Sequence, residues 1–337
     1  MASDRDSGAN GEVTYQLDDP TGHFTIVPSD GQIKLLRQLD HEKQTQHQLM
    51  VIAKDGGSPQ RSTELTIFIN VQDVNDNSPV FEKSRYVFSV SEAEPVNHQF
   101  GQLIATDADS SNNGKVTYLI QNGDSYQMFG IFPDTGLLYN KVRLDREKES
   151  THDLQVIAVD NGFPTNSATT QVHIIVTDAN DNSPQFTGVP YHFFVEENRP
   201  PATDVGFVTA TDKDGSEVLQ YSIKPTNKYF TIDPESGEIT TSQQLDRETQ
   251  DSHSLTVVVS DQGKPPISSS VRFTIRVLDL NDNSPVFSRS GHYTARIKEK
   301  KPKGTPVTSV LAVDKDNGIN GTVTYSLFRG QYIFALV

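Results

Sequence analysis

The sequence predicts an all-β chain of tandem antiparallel β-sandwiches joined by acidic connectors, and three observations predict it. First, Asp73-Val74-Asn75-Asp76-Asn77-Ser78-Pro79 recurs as Asp178-Ala179-Asn180-Asp181-Asn182-Ser183-Pro184 and as Asp279-Leu280-Asn281-Asp282-Asn283-Ser284-Pro285, at spacings of 105 and 101 residues. A unit of about a hundred residues is therefore repeated end to end. Second, apolar and polar residues alternate between these stretches. Val271, Phe273, Ile275 and Val277 alternate with Arg272, Thr274 and Arg276, and Leu65, Ile67, Ile69 and Val71 do the same, as do Leu255, Val257 and Val259. That period of two belongs to half-buried strands. Third, turn signals separate the strands at Pro28-Ser29-Asp30-Gly31, Pro133-Asp134-Thr135-Gly136 and Pro234-Glu235-Ser236-Gly237. Several short strands per unit, with no sustained helical period, favour a β-sandwich.

Further acidic elements keep the same period. Leu39-Asp40-His41-Glu42 recurs as Leu144-Asp145-Arg146-Glu147 and Leu245-Asp246-Arg247-Glu248. Ala2-Ser3-Asp4-Arg5-Asp6 recurs at Ala105, Ala210 and Ala312, bringing Asp107 and Asp109, Asp212 and Asp214, and Asp314 and Asp316. Ala53-Lys54-Asp55-Gly56 aligns with Ala158-Val159-Asp160-Asn161-Gly162 and Val259-Ser260-Asp261-Gln262-Gly263. Boundaries fall near Ser78, Ser183 and Ser284. Residues 1–78 form a repeat lacking its first strand, 79–184 and 185–285 are complete repeats, and 286–337 are a truncated one. The tail from Gln331 to Val337 matches nothing in the other copies.

The chain carries 44 acidic and 29 basic residues, a net charge of −15. Nucleic acid is thereby disfavoured, because its phosphates would be repelled. With no cysteine, disulfides and thiol-based metal sites are excluded. Met1 leads straight into Ala-Ser-Asp-Arg-Asp with no signal peptide, and no run approaches the roughly 20 apolar residues of a transmembrane helix. The chain reads as a piece of a longer protein that does not itself enter the membrane. Nine scattered histidines form no metalloprotease motif, and neither a nucleophile elbow nor a phosphate loop is present. An active site is expected once, not at every boundary, so no enzyme is expected.

Asp and Asn oxygens gathered before a proline are the hard donors that calcium prefers. An EF-hand is rejected, because its twelfth position must be a bidentate glutamate. Counting from Asp4, Asp107, Asp212 and Asp314 gives Tyr15, Tyr118, Ile223 and Tyr325. Ordinary turn chemistry explains any single Asp-Asn cluster, but not Glu92, Glu197 and the Asp-Arg-Glu elements recurring in step with the connectors. A passive sandwich spacer without metal, or a ligand-binding ectodomain without adhesive activity of its own, remains the rival reading. The absence of cysteine and tryptophan speaks against a true immunoglobulin domain.

These motifs together resemble the extracellular repeats of cadherins, over roughly residues 2–327, and most closely the Fat-like, Dachsous-like and protocadherin groups. The resemblance implies Greek-key sandwiches binding up to three calcium ions at each junction. For the junction between the second and third repeats it implies Glu92, Asp145, Glu147, Asp178, Asn180, Asp181, Asn182, Asp212, Asp214 and Asp261. For the next junction it implies Glu197, Asp246, Glu248, Asp279, Asn281, Asp282, Asn283, Asp314 and Asp316. For the first it implies Asp40, Glu42, Asp73, Asn75, Asp76, Asn77, Asp107, Asp109 and Asp160, with no first-strand glutamate. Asn113 and Asn320 match a loop carbonyl donor of the family, whereas Asp214-Gly215-Ser216-Glu217 has no such asparagine. The resemblance also implies a calcium-rigidified rod on the extracellular side of the plasma membrane, in a membrane-anchored, calcium-dependent adhesion protein. Its implied partner is another cadherin, homophilic or heterophilic, in cis or in trans. Asn320-Gly321-Thr322 is the one glycosylation sequon.

Crowded carboxylates give the physical logic. Like charges held close raise one another's pKa and push modules apart. Divalent cations would convert that repulsion into a shared cage, so that metal affinity becomes stiffness.

Overall fold

The structure, a computed structural model, describes residues 1–215, 218–289 and 292–328. Glu217, Ser216 and the unmatched tail from Gln331 to Val337 therefore lie outside the described residues. Two compact units are present, Met1–Ala179 and Asn180–Val337. The described residues hold strands and a single 3-10 turn at Gly8–Gly11. No helix among them is long and apolar enough to cross a membrane.

In the first unit, β1 (Thr14–Asp18), β2 (Phe24–Ile26), β3 (Ile33–Leu35), β4 (Gln46–Lys54) and β5 (Ser62–Asn70) belong to the first repeat. The second repeat contributes β6 (Val80–Phe81), β7 (Arg85–Ser91), β8 (Gln99–Gln102), β9 (Ala105–Thr106), β10 (Thr117–Asn122), β11 (Phe129–Ile131), β12 (Leu137–Asn140), β13 (Thr151–Val159) and β14 (Ser167–Thr177). The second repeat packs a sheet of order β10-β13-β14-β7 against one of order β11-β12-β8. Alternation along β13 and β14 turns Leu154, Val156, Val172 and Ile174 inward, where each is fully buried.

In the second unit, β15 (Gln185–Thr187), β16 (Phe193–Glu196), β17 (Asp204–Phe207), β18 (Thr209–Thr211), β19 (Gln220–Ile223), β20 (Phe230–Ile232), β21 (Glu238–Thr241), β22 (Ser252–Ser260) and β23 (Ser268–Leu278) repeat that plan. Their sheets have the orders β16-β23-β22-β19 and β17-β21-β20. After them come only β24 (Val286–Phe287) and β25 (Ala312–Val313), paired with each other.

One pairing was not readable in the alternation. The first strand of each complete repeat runs parallel to the last, β7 beside β14 and β16 beside β23, while most other pairs are antiparallel. A period of two records which face a residue takes and says nothing of strand direction.

The first repeat departs from the expected pattern more than by one strand. Its sheets are β1-β4-β5 and β2-β3, so counterparts of both β7 and β8 are absent among the described residues. The hairpin glycines show the same thing. A Cβ on Gly136 (φ +67) or Gly237 (φ +72) would lie 2.3 Å from the carbonyl oxygen of Leu103 or Val208, whereas at Gly31 the nearest atoms are those of the Tyr15 ring, 3.2 Å away. Leu65, expected inward, is consequently 61% exposed.

Candidate metal centre

The parallel first strand decides where its glutamate ends up. β7 emerges beside the connector, so Glu92 Oε2 accepts the Arg146 N–H at 2.6 Å and Oε1 accepts the Ala179 N–H at 2.8 Å. In the third repeat Glu197 does the same with the N–H groups of Arg247 and Leu280, both at 2.8 Å. Each glutamate is buried. Around them the Asp-Arg-Glu turns bring further carboxylates. Oxygens of Glu92, Asp145 and Glu147 lie within 4.8 Å of one another, as do those of Glu197, Asp246 and Glu248, of Glu248, Asp279 and Asp316, and of Glu42, Asp76 and Asp109.

The connectors are pinned by their asparagines. Asn75 Nδ2 donates to Asp160 Oδ2 at 3.0 Å and to the Pro164 carbonyl at 2.5 Å. Asn180 Nδ2 donates likewise to Asp261 Oδ1 at 3.2 Å and to Pro265 at 2.7 Å. The next asparagine grips the second aspartate of Ala-x-Asp-x-Asp. Asn77, Asn182 and Asn283 donate Nδ2 to Asp109, Asp214 and Asp316 at 2.6, 2.6 and 2.7 Å. The first aspartate of that element, Asp107, Asp212 or Asp314, accepts the N–H two residues on, at 3.0 to 3.1 Å. A tyrosine sets the whole element. Tyr118, Tyr221 and Tyr325 accept the N–H of Ala105, Ala210 and Ala312 at 2.7, 2.9 and 2.8 Å.

Asn113 and Asn320 hold their places with side chains as well as position. Their Nδ2 groups donate to Asp73 Oδ2 and Asp279 Oδ2, each at 2.9 Å. Asp178 is held instead by Arg146, whose Nε lies 2.6 Å from Oδ1. Asp40 and Asp145 each face a lysine three residues on, Lys43 at 2.7 Å and Lys148 at 2.6 Å, and Asp246 accepts the Thr249 hydroxyl at 2.8 Å. The connector aspartates Asp76, Asp181 and Asp282 are exposed or nearly so, each accepting the amide of the asparagine that follows it. Asn281 is exposed and meets no counterpart of Asp160 or Asp261 among the described residues.

Two observations bear on whether a cation fits. Asp73 Oδ1, Asn75 Oδ1, Asp107 Oδ2, Asn180 Oδ1, Asp212 Oδ2 and Asp261 Oδ2 are buried and accept no hydrogen bond. An orphaned buried acceptor costs about 1–3 kcal/mol, and these oxygens all belong to residues singled out by their spacing. The donors are oxygen only, the set suited to a hard divalent ion. Mutual repulsion is also present. Burial, and then the neighbouring Glu197 carboxylate, hold Glu248 above the usual carboxylate range against the pull of Arg247. A backbone N–H draws Glu42 down, yet burial and the neighbouring Asp73, Asp76 and Asp109 leave it raised.

Two residues were left out of the implied ligand sets, although the spacing already aligned Asp55 with Asp160 and Asp261. Asp55 accepts the N–H groups of Gly57 and Arg61, both at 3.0 Å, repeating the geometry of Asp160. Glu299 follows Tyr293 by the interval that separates Glu92 from Tyr86 and Glu197 from Tyr191, and that tyrosine register was the signal available.

A family model for the Cadherin domain matches residues 1–72, 86–177 and 191–278. Among curated proteins, Protein dachsous of Drosophila melanogaster is 42% identical over 98% of this chain and 10% of its own length. Protocadherin Fat 4 of Homo sapiens is 40% identical over 98% of this chain and 7% of its own length. The chain thus spans about a tenth or less of these relatives. Among solved structures, the protocadherin GammaB4 extracellular domain matches with a TM-score of 0.77 and 31% identity, covering 94% of this chain and 51% of that one. Mouse cadherin-23 EC22-24 matches at 0.65 and 34%, covering 83% and 90%. The protocadherin gammaB7 EC3-6 cis-dimer structure matches at 0.73 and 29%, covering 95% and 79%. With its repeated sandwiches, its connector aspartates and these likenesses in hand, the chain belongs to the cadherin family.

Proposed function

We propose that this chain is a calcium-binding segment of an adhesion ectodomain, in which calcium at the connectors stiffens a series of sandwiches divided near residues 78, 184 and 285. The observation that carries this reading is the set of orphaned buried oxygens on Asp73, Asn75, Asp107, Asn180, Asp212 and Asp261. When bound, the ion would supply the positive charge that those oxygens and the raised carboxyls of Glu42 and Glu248 lack. The chain's own residues orient the ligands. Asn77, Asn182 and Asn283 hold Asp109, Asp214 and Asp316, while backbone N–H groups fix Glu92 and Glu197. The proposed ligand set is the one the motif spacing implies, with Asn113 and Asn320 also orienting Asp73 and Asp279 by hydrogen bonds.

Family membership supports an extracellular, adhesive role and argues against an enzyme. The partner proposed is another cadherin, engaged homophilically in the first instance, and a cis dimer among the similar structures supports such contacts. Small-angle scattering and thermal melting in millimolar calcium and in chelator test the reading. Calcium should narrow the spread of interatomic dimensions and raise the melting temperature. Identical profiles and melting in the two buffers would instead favour a passive spacer.

A further inference from the structure

One short stretch opposes the sign of the whole chain. The net charge is −15, yet Arg296, Lys298, Lys300, Lys301 and Lys303 fall within eight residues that hold a single acid, Glu299. The stretch belongs to a loop that three repeats build on one frame, at Glu92–Pro95, Glu197–Pro200 and Glu299–Pro302. In the other two copies it is acidic. Residues 89–96 hold two acids and no base, and residues 194–201 hold two acids and one base. Where the four lysines stand, the second repeat has Ser91, Ala93, Glu94 and Val96. The fold therefore has no need of cations at these places.

The loop keeps the form it has in the complete repeats. Thr305 donates its N–H at 3.2 Å and its hydroxyl at 2.7 Å to the Pro302 carbonyl. The Thr203 hydroxyl meets Pro200 at 2.7 Å, and the His98 N–H meets Pro95 at 3.2 Å. Exposure is likewise a property of the loop. Ala93, Val96, Asn198 and Pro201 are exposed in their finished sandwiches, as are Lys298, Lys300, Lys301 and Lys303. The ion pairs of lysine and arginine among the described residues draw on Lys43, Lys148, Arg146, Arg199 and Arg247, and on none of these cations.

Backbone conformation adds a second, independent sign. Lys300 takes φ +69, in the left-handed region, at the place where the third repeat has Asn198 at φ +60. Asparagine enters that region readily and lysine does not. Strain held at an exposed position, beside like charges that repel one another, marks a place kept for use.

We propose that the turn from Lys298 to Lys303, flanked by Arg296, binds a sulfated glycosaminoglycan. Lysine ammoniums are compact point charges on flexible stems, suited to sulfate groups strung along a chain. A thin linear polyanion follows a single turn and leaves the chain's 44 acidic residues in water. A membrane surface or a nucleic-acid duplex presents a broad anionic face, which would press against those acids. The turn also has no aromatic side chain on which unpaired bases could stack. The extracellular placement proposed above enters only in the choice of polyanion, and contact between lysine and sulfate needs no calcium.

Fluorescence anisotropy of labelled, size-fractionated heparin, a highly sulfated glycosaminoglycan, titrated with the full chain tests this. Measuring in calcium and in chelator keeps a failure of the calcium reading distinct from a failure of this one, and saturable binding is expected in both. Four lysine contacts, releasing counterions as on a flexible single-stranded polyanion, should make affinity fall about 20-fold between about 100 and about 300 mM salt. Lys301→Gln should weaken binding about fivefold, the worth of one cation at an anionic surface. Lys300→Asn should lose as much while melting no lower than the parent, because asparagine fits the left-handed backbone there. The decisive comparison is between two fourfold Lys→Gln variants of equal net charge, all at exposed positions. One changes Lys298, Lys300, Lys301 and Lys303, and the other changes Lys34, Lys83, Lys115 and Lys141. Only the first should lose binding. Absence of binding at about 100 mM salt, equal loss in the two fourfold variants, or undiminished binding to heparin stripped of its sulfates would overturn the inference. So would tighter binding of phosphatidylserine vesicles or single-stranded DNA through the same lysines.

Discussion

Gly162→Ala tests how tightly the connector is seated on the following repeat. A Cβ there would lie 2.3 Å from Asn75 Cγ and 2.4 Å from its Nδ2. Ordinary contact needs about 3.5 Å, so the carboxamide must retreat by roughly 1.2 Å. In doing so it gives up its bonds to Asp160 Oδ2 and to the Pro164 carbonyl. The first is worth about 1.5–3 kcal/mol and the second about 0.5–1.5. Replacing glycine stiffens the unfolded chain and returns about 0.4–1 kcal/mol. The net loss is about 1.5–3.5 kcal/mol, and Asn75 Oδ1, one of the orphaned oxygens, moves with the amide. The unfolded-chain term affects folding and not binding, so the lost seating bonds alone set the scale and calcium affinity at this joint should drop by at least about 10-fold. Calorimetric titration of the full chain with calcium reads the change. The decisive comparison is the double variant with Asn75→Ala, where the obstructing side chain is gone and the effect of Gly162→Ala should shrink towards nothing. Unchanged affinity in the single variant, or an equal cost in both backgrounds, would refute the seating argument.

Core truncation should separate the complete repeats from the open one. Ile174→Ala, at a fully buried position, should cost about 2–5 kcal/mol in chemical denaturation. Ile69→Ala, at the aligned but half-buried position, should cost less than about half as much, and equal costs would contradict the open core. Acid should weaken the third repeat through His253, which is buried against Phe230 and Tyr229. Burial lowers its pKa from the ordinary 6.5, with Asp251 opposing and Lys228 assisting. The folded state therefore binds fewer protons than the unfolded, and stability is complete above about pH 6.5 and lost as pH falls below it. Melting between about pH 7 and pH 5 should show that decline, and His253→Phe should flatten it.

The clustering of oxygen-bearing side chains could be read from spacing, because residues that recur with the repeat stand out from turn residues that recur singly. The acidic elements at Asp40, Asp145 and Asp246, and at the three connectors, were legible for that reason. What stayed hidden depended on partners far away in the chain. Nothing local announced that β7 would run parallel to β14, and that pairing is what delivers Glu92 to Ala179 and Arg146. Leu65 has the alternation of a buried strand residue, yet its burial depends on a neighbouring strand that the pattern cannot supply. Asn113 was legible as a position, but its amide bond to Asp73 needed the fold. Glu299 sits among lysines and without an apolar strand mate, so its register with Glu92 was easily overlooked.

The parallel pairing of first and last strands also has a mechanical consequence. Within a complete repeat the chain enters at the start of β7 and leaves at the end of β14. Tension along the chain pulls these neighbouring strands in opposite directions along their common axis. The seven residue pairs between Arg85 and Ser91 and their partners are then loaded together, not peeled apart one at a time. A sandwich closed this way resists stretching by sharing the force across a whole strand, and β16 beside β23 gives the third repeat the same clasp.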